Sequence, residues 1–176
     1  MNFKTSLKYG AISGGLMVAS FFIVFLIQGD SSDYSNGELV GYTFMLLTLG
    51  AGVFIGIKNF RDKSHGGLMT FKQCFLAGLG IVLVASVIYV IGWMIIMPNF
   101  APDFADKYNA AQIEKVQADD KLNASEKEEK IEDMKAFLEN YKKPHVMAAY
   151  TFVEIFPVGL IVTLIASLFL KRKQRG

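Results

Sequence analysis

Glu154 is the residue whose type and position most clearly suggest chemistry. It is the one charged side chain in residues 144–170, a stretch of 27 residues that is otherwise uncharged. Pro157 follows three positions later and has no N–H to donate to the carbonyl group of Val153, so a backbone acceptor lies beside the carboxyl group. The candidate hydrogen-bond partners of Glu154 are the hydroxyl groups of Tyr150, Tyr89 and Ser86.

Other residues that could perform chemistry are few and scattered. The sequence lacks the common metal, nucleophile and nucleotide-binding motifs, and its two histidines, His65 and His145, are far apart along the chain. Asp119 and Asp120 lack the regularly spaced oxygen ligands of a calcium loop. We therefore predict no catalytic residue, no cofactor and no metal site, and we expect the protein not to be an enzyme.

The elements that must position Glu154 follow from the distribution of charge. Four windows together hold 97 residues with Glu154 as their single charge, and the other 79 residues hold the remaining 33 charges. An uncharged apolar stretch of about 20 residues matches the roughly 30 Å hydrocarbon layer. This excludes a soluble domain and predicts an all-α polytopic membrane protein with its helices in an up-down bundle. The predicted transmembrane helices are about 8–28, 39–57, 71–97 and 145–170.

Within such a bundle Glu154 has two interpretations. A charge near mid-bilayer costs at least about 2.5–3.5 kcal/mol, so we expect the side chain to face the bundle interior. It either forms a proton- or ion-coupled polar site, or is a protonated acid that hydrogen-bonds a neighbouring helix and contributes only to packing. A single acid without a second carboxylate or a basic partner is a poor proton relay, which favours the packing role without excluding the other.

The charged segments indicate the orientation of the chain. Ten basic residues and one acid lie in the two termini and the short middle connection, whereas the first connection has only acids, Asp30, Asp33 and Glu38. The positive-inside rule then places both termini in the cytoplasm. The basic C-terminal cluster after residue 170 is predicted to anchor the chain to anionic lipid, with no binding of nucleic acid. The single cysteine, Cys74, excludes an internal disulfide.

Residues 99–144 form an insertion of different character before the last span, within a single membrane domain, 1–176. Its second half has an apolar stripe at spacings of three and four residues, which is typical of an amphipathic helix. Ser125 and Glu128 have the spacing of a capping box and predict the start of that helix. We expect an external helical hairpin. The stripe residues are Ile131, Met134, Phe137, Leu138 and Tyr141.

Small residues recur at four-residue spacing in the first two spans. Gly10 and Gly14 form one such pair, and Gly52 and Gly56 form another. Glycines at this spacing allow two helix backbones to approach closely. In a four-helix protein we expect these pairs to serve internal packing rather than dimerisation.

Several stretches together resemble the bacterial domain of unknown function 4199 family. They are residues 58–63 (KNFRDK) and 66–71 (GGLMTF), Phe75 with Gly78, and the last span with Glu154 and Pro157. The resemblance covers nearly the whole chain and implies an integral protein of the bacterial cytoplasmic membrane. It supplies no activity, so no functional residue is carried over.

The middle connection has features of its own. Gly66 and Gly67 permit a sharp turn, and Thr70 is a suitable cap for the third helix. We expect Arg61 and Lys72 to lie at the lipid head groups.

Three functions are compatible with these features. The first is a non-enzymatic structural or interaction protein whose hairpin contacts another membrane or periplasmic protein, or a second copy of this chain. The second is a small proton- or ion-coupled transporter or channel that uses Glu154, and the third, least supported, is a membrane-embedded enzyme. An exposed apolar stripe on the hairpin would favour a partner, whereas a stripe packed onto the bundle would make the hairpin a lid or cap.

Overall fold

A computed structural model describes residues 3–28 and 34–172, which form six α-helices. Four of them, α1, α2, α3 and α6, are long and apolar enough to cross a membrane, and α4 and α5 form the predicted insertion. The described residues contain no strand, only one isolated backbone bridge. The prediction of an all-α polytopic membrane protein is confirmed. The helices are α1 (Phe3–Gln28), α2 (Tyr34–Ser64), α3 (Phe71–Phe100), α4 (Phe104–Ala118), α5 (Ala124–Tyr141) and α6 (Pro144–Leu170).

The four long helices alternate in direction, but they are not arranged around the bundle in chain order. The most extensive contacts join α1 to α3 and α3 to α6, while α2 packs on α1 and α6. The ring order is therefore α1, α3, α6, α2, with α2 and α3 also touching across it. As a result, two neighbouring pairs, α1 with α3 and α2 with α6, run parallel.

Glycines set the closest of these contacts. A Cβ atom added to Gly10 would lie 2.5 Å from the Cβ of Val84, and one added to Gly14 would lie 2.8 Å from the carbonyl oxygen of Ala85. Gly52 faces Ser13 of α1 in the same way. Since lipid gives helices no hydrophobic drive to associate, this close packing is a main source of their affinity for one another.

One end of the bundle, here called the basic end, is closed by Arg61. Its side chain is only 4% exposed, and Nη1 donates a hydrogen bond of 3.1 Å to the carbonyl oxygen of Leu170, the last residue of α6. Arg61 also pairs with Asp62. The guanidinium group caps a helix end that would otherwise leave carbonyl groups unpaired, and its position at the lipid head groups stays a prediction.

The connection between α2 and α3 holds the C-terminal segment against the basic end. Gly66 and Gly67 have φ angles of 57° and 83°, which glycine adopts without strain. Met69 and Arg172 then exchange two backbone hydrogen bonds of 3.0 and 2.8 Å. Thr70 caps α3 as predicted, in a capping box with Gln73. Asp30, Asp33 and residues 173–176 lie outside the described residues.

At the opposite end, here called the hairpin end, α4 and α5 pack against each other. The capping box of α5 is formed by Asn123 and Glu126, so the prediction of Ser125 and Glu128 is wrong by two positions. Glu126 N donates to Asn123 Oδ1, and Asn123 N donates to Glu126 Oε2. Each of these side chains accepts a hydrogen bond from the backbone N–H of the other residue, as was expected for Ser125 and Glu128. Asparagine is as good an N-cap as serine.

The packing of α1 predicts different effects for two adjacent glycines. Gly14→Ala should destabilise the protein by about 1–3 kcal/mol, because the added methyl group meets the α3 backbone. Gly15→Ala should leave stability unchanged or slightly raised, since nothing lies within 4 Å of its added Cβ and alanine is the better helix former. Thermal unfolding of the purified variants in detergent measures both. Equal midpoints for the two variants would contradict the α1–α3 contact.

Candidate functional site

Glu154 lies on the surface of the bundle, in the groove between α6 and α2. Its carboxylate oxygen Oε1 accepts a hydrogen bond of 2.6 Å from the hydroxyl group of Tyr42, on α2. The Glu154 side chain is exposed, and Tyr42 is 44% exposed. Glu154 thus faces outward at the seam between two parallel helices. The expectation that it faces the bundle interior, which came from the cost of a charge in the membrane, is wrong.

The level of this contact in the bundle follows from two residue counts. Arg61 comes 19 positions after Tyr42, and Leu170 comes 16 positions after Glu154. At 1.5 Å per residue, the Tyr42–Glu154 contact is about 24–28 Å from the Arg61–Leu170 contact. If the Arg61–Leu170 contact is placed at one boundary of a hydrocarbon layer about 30 Å thick, Glu154 falls near the other boundary, at the hairpin end. The cost of a charged side chain on a lipid-facing surface falls from the midplane of the bilayer towards its boundary, so an ionised side chain costs less there.

Of the three hydroxyl partners that the sequence suggests, none hydrogen-bonds Glu154 within the described residues. Ser86 is fully buried and its hydroxyl group has no partner. Tyr89 packs on the core and stacks on Trp93, with ring centroids 5.9 Å apart. Tyr150 lies one turn before Glu154 and contacts Phe137 of α5 instead, at 4.8 Å between centroids. Their grouping into a functional site stays a prediction.

Tyr42 was not predicted as a partner, because the predicted partners lie on α6 itself (Tyr150) and on the preceding span, α3 (Tyr89 and Ser86). A usable signal was present, since Tyr42 lies close to the outer end of the second window and α2 and α6 start from the same side. What the sequence could not indicate is that these two helices touch. The contacts of Gly78 with Thr163 and of Gly159 with Val82 set the register between α3 and α6. In this register Ser86 is level with Ile155, so it lies next to the position of Glu154 along α6 and not opposite it.

Aromatic side chains above Glu154 dock the hairpin onto the bundle. Trp93 Nε1 of α3 donates a hydrogen bond of 2.9 Å to the hydroxyl group of Tyr141, at the end of α5. The same indole ring contacts Phe21 of α1 at 4.4 Å and Phe104 of α4 at 6.1 Å between centroids. We call this set the aromatic cap. Its members are Phe21, Trp93, Phe104, Phe137, Tyr141 and Tyr150.

The polar groups at the edge of the aromatic cap are also paired. Burial raises the pKa of the Tyr141 hydroxyl group, while hydrogen bonds from Trp93 and Thr151 act in the opposite direction. The raised pKa keeps the Tyr141 phenol neutral, and its neutral hydroxyl oxygen accepts the hydrogen bond from Trp93. Lys142 Nζ lies 2.8 Å from Asp106 Oδ1, and this hydrogen bond raises the pKa of Lys142. The pair ties the connection after α5 to the first turn of α4.

The bundle core contains hydroxyl groups that lack hydrogen bonds. Ser13, Ser86 and Thr163 are fully buried without a partner, whereas Ser167 donates to the carbonyl oxygen of Thr163 at 2.6 Å. Each unpaired hydroxyl costs about 1–3 kcal/mol. Over residues 3–28 and 34–172, no three His, Cys, Asp or Glu side chains come together in a way that could hold a metal ion. The interaction that the structure shows at Glu154 is the acceptance of a hydrogen bond from Tyr42.

Comparison with known families places nearly the whole chain in one family. A family model described as "Protein of unknown function (DUF4199)" matches residues 8–172, and the chain belongs to this family. No curated protein and no solved structure is significantly similar to it.

The aromatic cap yields a prediction that its own tryptophan can report. Tyr141→Phe should weaken docking of the hairpin by about 0.5–1.5 kcal/mol, because Trp93 loses its acceptor. Trp93 is the single tryptophan, so its emission spectrum should shift, and amide hydrogen exchange in α5 should accelerate. Tyr150→Phe is the matched control, because it keeps the ring contacts. Identical emission and exchange in the two variants would contradict the role of the hydrogen bond.

Proposed function

We propose that this DUF4199 member is a non-enzymatic structural or interaction protein of the bacterial cytoplasmic membrane, with its hairpin outside as a fixed cap. The observation that carries the proposal is the docking of α5 on α3 and α6 through Trp93, Tyr141 and Tyr150. A hairpin held at both its ends presents one constant surface. That is a property of a recognition element rather than of a tether.

The surface offered to a partner is then the charged face of α5, not its apolar stripe. Ile131, Met134 and Leu138 are half-buried, and Phe137 and Tyr141 contact the bundle. The outward face carries more acids than bases, so we expect a partner with a basic surface. Its exposed charged residues are Glu128, Glu129, Lys130, Glu132, Asp133, Lys135 and Glu139.

Charge supports the orientation of the chain in this proposal. The basic end carries Lys58, Lys63, Lys72 and Lys171, whereas the hairpin end is acidic. A basic end retained in the cytoplasm leaves both termini inside and the hairpin outside.

A second candidate function is a small proton- or ion-coupled transporter or channel. The observation that favours it is the Tyr42–Glu154 hydrogen bond, which holds an exposed carboxylate near the membrane boundary. Unpaired hydroxyl groups on the core side of Glu154, such as that of Ser86, would provide further polar contacts for an ion or for water.

The orientation is open to a direct labelling test. In a Cys74→Ala background, Lys130→Cys on α5 should react with a membrane-impermeant maleimide added to spheroplasts. Lys63→Cys at the basic end should react only after the membrane is permeabilised. Both positions are exposed in the folded chain, so access across the membrane decides the result. The reverse pattern would overturn the proposed topology.

The interaction role predicts which hairpin face is recognised. A photo-crosslinking residue at Glu129, on the outward face, should yield specific adducts in native membranes, because this face is free of the bundle. The same residue at Met134, on the stripe, should yield intramolecular products only. Adducts to other chains from Met134 but not from Glu129 would contradict the proposal. They would indicate that the apolar stripe of α5, and not its charged face, binds the partner.

A further inference from the structure

Over residues 3–28 and 34–172, no ion pair joins the carboxylate of Glu154 to a positive side chain. Its recorded hydrogen bond among the described residues is the one from Tyr42, which occupies one of about four acceptor sites of the two oxygens. Arg61 and Lys58 belong to the same neighbouring helix but lie at its far end, about 24 Å or more away. A carboxylate so placed attracts a cation from outside the chain.

Aromatic rings accompany the carboxylate on the same outward surface. Tyr42 is 44% exposed and Tyr150 is 50% exposed. Tyr150 and Glu154 are four residues apart on α6 and therefore share one face of that helix. The quadrupole of an aromatic ring attracts a cation over its face, most strongly a cation that is weakly hydrated.

The combination selects one class of cation. A bare metal ion needs several oxygen ligands, and Glu154 supplies a single carboxylate. An organic cation with apolar substituents needs only one charge and apolar contact, and it concentrates at the membrane boundary where Glu154 lies. The surface is open to the surrounding bilayer, because Val153, next to Glu154, and Ile161, about two turns further along α6, are more than half exposed.

We propose that the surface formed by Tyr42, Tyr150 and Glu154 binds a lipophilic organic cation that enters from the bilayer. The proposal rests on the second candidate function, that Glu154 is a functional site, and it names the ligand class of that site. Glu154 neutralises the charge of the cation, and the two tyrosine rings contact its substituents.

The test uses tetraphenylphosphonium with the full-length protein in dodecyl maltoside, an uncharged detergent that supplies no competing cation. Equilibrium dialysis measures binding directly, and the single tryptophan, Trp93, gives an independent fluorescence signal. Tetraphenylborate has the same shape and the opposite charge. We expect saturable binding of the cation and none of the anion.

Variants separate the charge from the aromatic contribution. Glu154→Gln should weaken binding at least about tenfold, while Glu154→Asp retains most of it, because only the first removes the charge. Tyr42→Leu should weaken binding about two- to fivefold and Tyr42→Phe should not, because the ring face and not the hydroxyl contacts the cation. Glu139→Gln, in the exposed hairpin, is the matched control for loss of one carboxylate and should bind normally.

The proposal is overturned by the absence of saturable binding to the unaltered chain, by equal binding to Glu154→Gln, or by equal binding of the anion. Competition by added phosphatidylethanolamine would assign the surface to a lipid ammonium head group, which also overturns a free cation as the ligand. If the proposed binding fails, the second candidate function can still be tested separately. An ion flux in proteoliposomes that depends on Glu154 and needs no organic cation would support a transporter or channel.

Discussion

The structure depends on the close approach of helix backbones in a solvent that provides neither hydrophobic drive nor hydrogen bonds. Gly10 and Gly14 bring α1 onto α3, and these contacts make the parallel α1–α3 pair the most extensive interface in the bundle. The position of α1 beside α3 leaves α2 to pack on α6 at the opposite side. That arrangement brings Tyr42 to Glu154, so the candidate site is a consequence of where the glycines lie.

Polar groups at the two ends of the bundle are then satisfied by different means. At the basic end, the Arg61 guanidinium group caps α6, and backbone hydrogen bonds between Met69 and Arg172 fix the last turn. At the hairpin end, Trp93 and Tyr141 join a span to the insertion through one hydrogen bond inside a cluster of rings. Both devices connect segments distant in sequence, and both involve residues with an apolar body and a polar tip.

The distribution of charge predicted the number of spans and the position of the hairpin, because burial in lipid excludes charge so strongly. It did not predict how far the helices extend, since α2 continues past the predicted end of its span at Ile57, through a polar stretch, as far as Ser64. Nor does charge indicate which helices touch. The partner of Glu154 was missed for this reason. The burial of Arg61 was also not predicted, because the helix end that its guanidinium group caps comes from a segment distant in sequence.

The central claim is that the hairpin is a fixed cap and not a mobile arm. Double electron–electron resonance between spin labels at Lys130→Cys on α5 and Ala19→Cys on α1, in a Cys74→Ala background and lipid nanodiscs, tests it most directly. Both positions are exposed, so the labels leave the aromatic cap intact. A docked hairpin predicts one narrow distance distribution that broadens in Tyr141→Phe. A broad distribution in the protein with Tyr141 present would contradict the account.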